Sequence, residues 1–318
     1  NISFVKWGTG PALLIISPSN TTSQELKAQL KPTNIAHKFT CFAYDYRGFN
    51  ASSTPSPRWP KPSITRLADD ALELIKNAVG GSTSVIGISF GGMVAQELAL
   101  RYPSAVQQLV LVCSSASVGD DPIDLSQGYP LLQLYDLSVQ ERLQRTLLLT
   151  DLRRDYDWLD DDMGQAAVTY MQTADDKVLA SAGGEAGRRW LFQARQEHDA
   201  ADRLRVATST SEMQPGGKIW PKTLVIACVH DGITPPRASV VLRDAISDCD
   251  FLWLDTAHWP VVMHECAGTF GTALHTFLLN GKLGTNLVKE SETVEKTIQW
   301  DRPRLLRGPQ CWDSCSIL

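Results

Sequence analysis

The sequence lacks any run of eighteen consecutive apolar residues, the length that a membrane-spanning helix requires. Its longest apolar runs, such as 109–113 and 224–229, have the length of strands. Basic charge is not in excess either, because the 318 residues carry a net charge of −5. This balance argues against a general nucleic-acid-binding surface and leaves small neutral or weakly charged ligands open. No signal peptide is recognisable, and because the first residue is Asn1 the completeness of the N-terminus stays open.

Recognisable metal and cofactor motifs are absent as well. No cysteine and histidine residues have zinc-site spacing, and no phosphate-binding loop occurs, so we expect neither a metal nor a cofactor. The seven cysteines are odd in number and not tightly paired, which favours a reducing, cytoplasmic location. The last four residues, from Cys315 to Leu318, fit a prenylation pattern, although serine after the cysteine weakens the match. We expect contact with a membrane only if Cys315 is prenylated.

Short apolar runs alternate with helical patterns in the first part of the chain and again near its end. This alternation predicts a mostly parallel sheet with helices on both faces. The strands are apolar throughout, as buried parallel strands are. The predicted strands are 12–16, 39–44, 85–88, 109–113, 223–229 and 251–254, and the main core helices are 23–30, 64–78, 92–102, one from about 237, and 268–279.

A long stretch between the two halves has helical patterns and no strand signal. We therefore predict four segments: a first core part at 1–117, a helical cap at 118–213, a second core part at 214–280, and a loosely packed tail at 281–318. Apolar aromatic residues of the cap, including Trp158, Tyr170 and Trp190, indicate a hydrophobic substrate, although such residues also serve packing.

The strongest local motif is Gly87-Ile88-Ser89-Phe90-Gly91, which matches G-x-S-x-G where a strand ends and a helix begins. Such a turn projects the serine hydroxyl above the sheet, and the small flanking residues let the strand and helix approach closely. The helix N-terminus adds free N–H groups that stabilise developing negative charge. The motif predicts Ser89 as a nucleophile; the alternative is a tight glycine turn with an incidental serine.

A serine nucleophile needs a base, and with this motif the carboxylate and histidine follow in the order Ser, Asp, His. Asp231 comes directly after the predicted strand 223–229, and His258 follows the strand 251–254. Both positions are at the carboxyl ends of strands, where open α/β sheets bind ligands. We predict His258 as the general base and Asp231 as the group that orients it. His264 is a less favoured alternative base.

These residues make the chain resemble the α/β-hydrolase superfamily over roughly residues 4 to 280. Asp45-Tyr46-Arg47-Gly48-Phe49 is similar to the family's D-x-R-G-x-G loop, and residues 188–204 are similar to the cap-to-core return of the enol-lactonase-like branch. The resemblance implies the α/β-hydrolase fold with a helical cap. Asn50 stands where the family has a glycine, and because asparagine tolerates a positive φ we expect this departure only to reshape a loop.

The family usually has His-Gly after the strand at 12–16, where this chain has Ser17-Pro18. Proline has no N–H, but the resemblance implies that the oxyanion donor comes from the next residue, which is Ser19. We therefore expect an oxyanion hole formed by the N–H groups of Ser19 and Phe90, with a geometry that the Ser17-Pro18 departure leaves open.

The sequence thus predicts hydrolysis of a carboxylic ester or lactone through an acyl-enzyme, acting on a small and hydrophobic substrate. Two other functions stay open. One is a receptor that binds a ligand without cleaving it, and the altered Ser17-Pro18 segment is its main support. The other is a different reaction on the same three residues, such as carbon–carbon bond hydrolysis or cyclisation.

Overall fold

Seven strands form one sheet in the computed structural model, which describes residues 1–53, 61–117, 137–180, 183–209 and 220–298. The order across the sheet is β1-β3-β2-β4-β5-β6-β7. All neighbouring strands are parallel except β1 and β3. The strands are β1 Phe4–Gly8, β2 Ala12–Ile16, β3 Thr40–Tyr44, β4 Thr83–Ile88, β5 Val106–Val112, β6 Lys222–Cys228 and β7 Asp250–Leu254.

Helices cover both faces of this sheet. The α-helices are α1 Ser23–Gln29, α2 Ile64–Leu74, α3 Phe90–Arg101, α4 Val139–Thr150, α5 Tyr156–Leu159, α6 Asp162–Leu179, α7 Gly184–Gln196, α8 Ala201–Ser209, α9 Pro236–Ala245, α10 Val261–Glu265, α11 Ala267–Asn280 and α12 Thr285–Glu295. None of the helices in the described ranges is long and apolar enough to cross a membrane.

The apolar strands follow from burial on both faces. Within β2, Leu14 and Ile16 belong to one core cluster, which includes residues of α2 and α3. Leu13 and Ile15 point to the opposite face and belong to a second cluster, which includes residues of α1 and α11. All four side chains are fully buried. Because successive strand residues face opposite sides, a strand covered by helices on both sides is apolar at every position.

Five of the described helices, α4 to α8, lie in the chain between β5 and β6. Sequence patterning placed a helical cap at 118–213, but residues 118–136 and 210–219 are outside the described part, so its exact limits stay a prediction. The helical patterns at 164–171 and 188–196 were shorter than the observed helices, since α6 continues to Leu179 and α7 begins at Gly184.

The direction of the strand order reverses between β2 and β4. The chain passes from β2 to β3 on one side, and then crosses to place β4 on the other side of β2. The loops after β2 and β4 therefore diverge at their carboxyl ends and leave a crevice there. Ser19 lies in the loop after β2, and Ser89 follows directly after β4.

The loosely packed tail expected from residue 281 onward is wrong for its first part, because α12 packs against the edge strand β7. Leu287 and Ser291 form its buried stripe, and the Ser291 hydroxyl accepts a 2.7 Å hydrogen bond from the backbone N–H of Trp253 in β7. A stripe this narrow in a polar segment gives a weak periodic signal. Residues 299–318, including Cys315, lie outside the described part of the chain.

Candidate active site

Ser89 occupies a strained turn between β4 and α3. Its φ of 53° and ψ of −118° lie in a region that residues with a side chain rarely adopt. Two backbone hydrogen bonds hold the turn: the Ser89 N–H donates to the carbonyl of Val112, and the Gly92 N–H donates to the carbonyl of Ser89. This turn places the hydroxyl at the carboxyl edge of the sheet, which is the geometry expected of an exposed nucleophile.

The glycines on either side of this serine are required by close packing. A Cβ on Gly91 would lie 2.2 Å from the carbonyl oxygen of Ile16 and 2.6 Å from that of Ser17. A Cβ on Gly87 would lie 2.5 Å from the carbonyl oxygen of Gly91. No side chain fits at such distances, so the turn approaches the end of β2 as closely as its backbone permits.

Asp231 is fully buried in the loop after β6. Its Oδ1 accepts hydrogen bonds from the backbone N–H groups of Ile233 at 2.8 Å and Thr234 at 2.7 Å. Burial raises the pKa of Asp231 above its ordinary value, whereas the charge and hydrogen bond of His258 and the two backbone amides oppose that rise. The carboxylate is therefore fixed in orientation, with its second oxygen directed to His258.

His258 connects Asp231 to Ser89. Its Nδ1 lies 2.6 Å from Oδ2 of Asp231, and its Nε2 lies 3.0 Å from Oγ of Ser89. Both distances are those of hydrogen bonds. The structure thus brings together three side chains that come from the ends of β4, β6 and β7, as the sequence predicted. The imidazole is buried, which limits competition from water.

The end of helix α4 supports the loops that carry Asp231 and His258. The carbonyl of Leu149 accepts a hydrogen bond from the Gly232 N–H, and the carbonyl of Thr150 accepts one from the N–H of His258, each at 2.9 Å. These carbonyls belong to the last turn of a helix, where no intrahelical partner remains. The orientation of the histidine loop therefore depends on a helix inserted between β5 and β6.

The loop after β2 and the start of α3 are fixed relative to each other by Tyr46. Its hydroxyl donates a 2.6 Å hydrogen bond to the carbonyl of Ser17, and its ring packs edge-on against Phe90 with centroids 5.4 Å apart. Ser19 and Phe90 both line the cavity next to Ser89. Phe90 is the first residue of α3, so its N–H has no acceptor within the helix.

A cavity of about 670 Å³ opens onto Ser89 and His258. Much of its lining is apolar and comes from α4, α6 and α7, including Leu143, Leu147, Met171 and Phe192. The predicted cap aromatics divide between two roles: Trp158 and Tyr170 line the cavity, whereas Trp190, on α7, is buried in the core. This volume accommodates a small organic ligand.

Two further sets of groups lie near these residues: the alternative base His264 and a cluster of possible metal ligands. His264 is exposed on α10 and lines the cavity, but the hydrogen bond of Ser89 Oγ is with His258. Among the described residues, Cys113, Asp231 and His258 place potential metal-ligand atoms within 4.8 Å of one another. The hydrogen bond with Cys228 lowers the pKa of the Cys113 thiol, but burial opposes it and the net change is a rise, so this thiol is neutral. His258 is already hydrogen-bonded to Asp231. This set suits proton transfer better than metal binding.

The chain is similar in sequence to one family model and to several known proteins. A model of the alpha/beta hydrolase fold family matches residues 13–264. Serine hydrolase BPHL of Mus musculus is 28% identical over 130 residues, which are 40% of this chain and 44% of that protein. 3-Oxoadipate enol-lactonase 2 of Acinetobacter baylyi is 28% identical over 110 residues, which are 35% and 39% of the two chains. The chain thus spans less than half the length of these curated relatives.

The solved structure of the enol-lactonase from Burkholderia xenovorans LB400 superimposes with a TM-score of 0.64 at 19% identity, covering 88% of this chain and 96% of that one. At this identity the likeness concerns the fold. Because the family model spans most of the sequence and includes the strands and loops that carry Ser89 and Asp231, the chain belongs to the α/β hydrolase fold family.

Proposed function

We propose that the protein is a serine hydrolase that cleaves a carboxylic ester or lactone through an acyl-enzyme. The observation that supports this most directly is the hydrogen-bonded series from Asp231 through His258 to Ser89, at 2.6 and 3.0 Å. In this proposal the N–H at Nδ1 of His258 donates a hydrogen bond to Asp231, so the ring keeps its proton on Nδ1 and its Nε2 is free to accept the Ser89 proton. The serine oxygen then attacks the substrate carbonyl.

The attack converts the carbonyl oxygen into an oxyanion, which the backbone N–H groups of Phe90 and Ser19 are proposed to stabilise. The imidazolium of His258 gives its proton to the departing alcohol oxygen, and Asp231 stabilises its positive charge in the meantime. Water, activated by the same imidazole, hydrolyses the acyl-Ser89 ester and restores the free enzyme. Each step uses groups that line the cavity or contact one that does.

A strained serine distinguishes this proposal from a receptor that only binds its ligand. Holding Ser89 at a φ of 53° costs of order 1–3 kcal/mol, and ligand binding alone does not need that conformation. The curated relatives named above are a serine hydrolase and an enol-lactonase, which also favours ester or lactone cleavage over carbon–carbon bond hydrolysis.

The test is turnover of p-nitrophenyl butyrate by the wild type and by Ser89→Ala. We expect the substitution to reduce kcat by at least about 10⁴-fold, because serine, histidine and aspartate act as a unit. Ser247→Ala, which removes an exposed hydroxyl in the turn after α9, is the matched control and is expected to leave turnover within twofold. A fluorophosphonate probe should add its mass to the peptide containing Ser89.

Turnover that survives Ser89→Ala would refute the nucleophile assignment. If the wild type neither turns over any ester nor reacts with the probe, the receptor alternative is favoured instead. A product of carbon–carbon cleavage without ester turnover would favour the other chemistry on the same residues.

A further inference from the structure

Charged side chains that line the cavity are mostly paired with one another. Asp175 is held between Arg142, at 2.7 Å, and Arg188. Asp151 is bound in the same way by Arg153 at 2.8 Å and by Arg154 at 3.2 Å. Both carboxylates therefore already have cationic partners, and the arginines that bind them already have anionic partners.

Arg195 is the exception among the described charged groups of the cavity. It lies near the C-terminal end of α7, on the same face as Arg188 and Phe192, both of which also line the cavity. Within the described residues its guanidinium has no hydrogen bond and no ion pair with any acidic side chain. The side chain is half-buried, and desolvation lowers its pKa to about 10, with no neighbouring carboxylate opposing that change.

A guanidinium taken out of water without a counter-ion is unfavourable, and an anion that reaches it recovers the lost interaction. Its planar array of N–H donors matches a carboxylate in a two-point arrangement. Acidic side chains of this region have other partners: Glu97 binds Arg203, and Glu197, two residues beyond Arg195, binds Lys61. Among the described residues no acidic side chain pairs with Arg195, so a ligand can supply the anion.

We propose that Arg195 binds a carboxylate of the substrate, so that the ester or lactone cleaved at Ser89 bears one negative charge elsewhere in the same molecule. This inference rests on the proposed function of Ser89. A carboxylate fits better than a phosphate dianion, because one unpaired cation balances one charge and Asp175 lines the same cavity. The apolar lining from Leu143, Leu147 and Phe192 would contact the carbon chain between the two groups.

The experiment compares p-nitrophenyl butyrate with the mono-p-nitrophenyl esters of succinic, glutaric and adipic acid, which place a carboxylate at increasing distance from the scissile bond. We expect the wild type to prefer one of these half-esters over the neutral ester by at least 10-fold in kcat/KM. Arg195→Gln should reduce that preference at least 10-fold, and Arg195→Lys should retain part of it. Arg189→Gln, which alters an exposed arginine of the same helix, should retain the full preference.

Binding supplies an independent readout. The mono-anilide of glutaric acid, an amide with a free carboxylate, should bind the wild type at least 10-fold more tightly than Arg195→Gln in calorimetry, and the two proteins should have the same far-UV circular dichroism. Equal losses for neutral and charged ligands, or a wild type that prefers the neutral ester, would overturn the role of Arg195 and leave the Ser89 proposal intact. Turnover that persists in Ser89→Ala would refute the proposed reaction, and the anilide measurement would still decide whether Arg195 binds a carboxylate.

Discussion

Replacing Asp231 with asparagine tests whether this carboxylate sets the tautomer of His258 and stabilises its positive charge. The carboxylate is fully buried, and its Oδ1 accepts two backbone N–H groups, from Ile233 and Thr234. Asparagine has almost the same shape. Its carbonyl oxygen retains these two bonds, because the opposite orientation would set its amide hydrogens against two donors. The amide nitrogen then occupies the place of Oδ2, 2.6 Å from Nδ1 of His258.

An amide nitrogen at that place donates a proton to Nδ1, so the proton of the neutral ring stays on Nε2. Nε2 lies 3.0 Å from the Ser89 oxygen and is the atom that has to accept the serine proton. The base is therefore held in the wrong tautomer, and its imidazolium loses a stabilising charge. A loss of about 10⁴-fold in kcat is expected for this change. That loss corresponds to about 5 kcal/mol in activation free energy.

The assay is kcat and kcat/KM for p-nitrophenyl butyrate, with the melting temperature as a check on the fold. Burial raises the pKa of Asp231 relative to the unfolded chain, so its ionisation opposes folding above that pKa, and the neutral asparagine should not lower the melting temperature. Asp255→Asn is the control, since this exposed carboxylate after β7 pairs with His230 and should change kcat less than twofold. A well-folded Asp231→Asn protein that loses less than 10-fold in kcat would refute the role proposed for Asp231.

Two further changes test the packing behind the site. Gly91→Ala should lower the free energy of unfolding by at least about 3 kcal/mol in urea, because its Cβ would meet the Ile16 carbonyl, whereas Gly268→Ala, with open space around it, should raise stability by up to about 1 kcal/mol. Burial and the charges of Arg203 and Arg195 lower the pKa of His198 to about 3, so below pH 6.5 the unfolded chain binds a proton that the native state excludes. Between pH 7.5 and 5.0 the wild type should therefore lose about 2 kcal/mol more stability than His198→Leu.

These two predictions fail on distinct results. Equal unfolding free energies for the two glycine variants would show that the turn yields to a methyl group. Parallel stability curves for the wild type and His198→Leu from pH 7.5 to 5.0 would show that His198 takes up its proton in the native state as easily as in the unfolded chain.

Patterns confined to a few neighbouring residues were sufficient to predict most of the fold. The apolar runs of the strands, the glycines around Ser89 and the polar residues after β6 and β7 each have a local physical cause, so each is readable in the chain. The positive φ of Asn50, at 46°, belongs to the same group, and its side chain donates a hydrogen bond to Asp45. The expectation that Ser89, Asp231 and His258 lie at one edge of the sheet then follows, since parallel strands place their carboxyl ends there.

Local patterns predicted element ends less well. Cys113 was expected within β5, yet it has a φ of 48° and stands just beyond the strand, which ends at Val112. The turn there is stabilised by Thr234, whose hydroxyl donates to the Cys113 carbonyl from a loop far along the chain. Helix α12 was missed because its buried stripe has meaning only against the edge strand that it covers.

By itself, then, the sequence determined most of the strands and helices and the three site residues that follow β4, β6 and β7, because short-range periodicity and turn chemistry specify them. The tertiary structure alone decided which charges find partners. Arg142 and Arg188 meet Asp175 because α4, α6 and α7 pack side by side, and Arg195 on the same helix meets no acid among the described residues. Pairing of this kind depends on how helices distant in sequence are placed in space, and no local pattern encodes it.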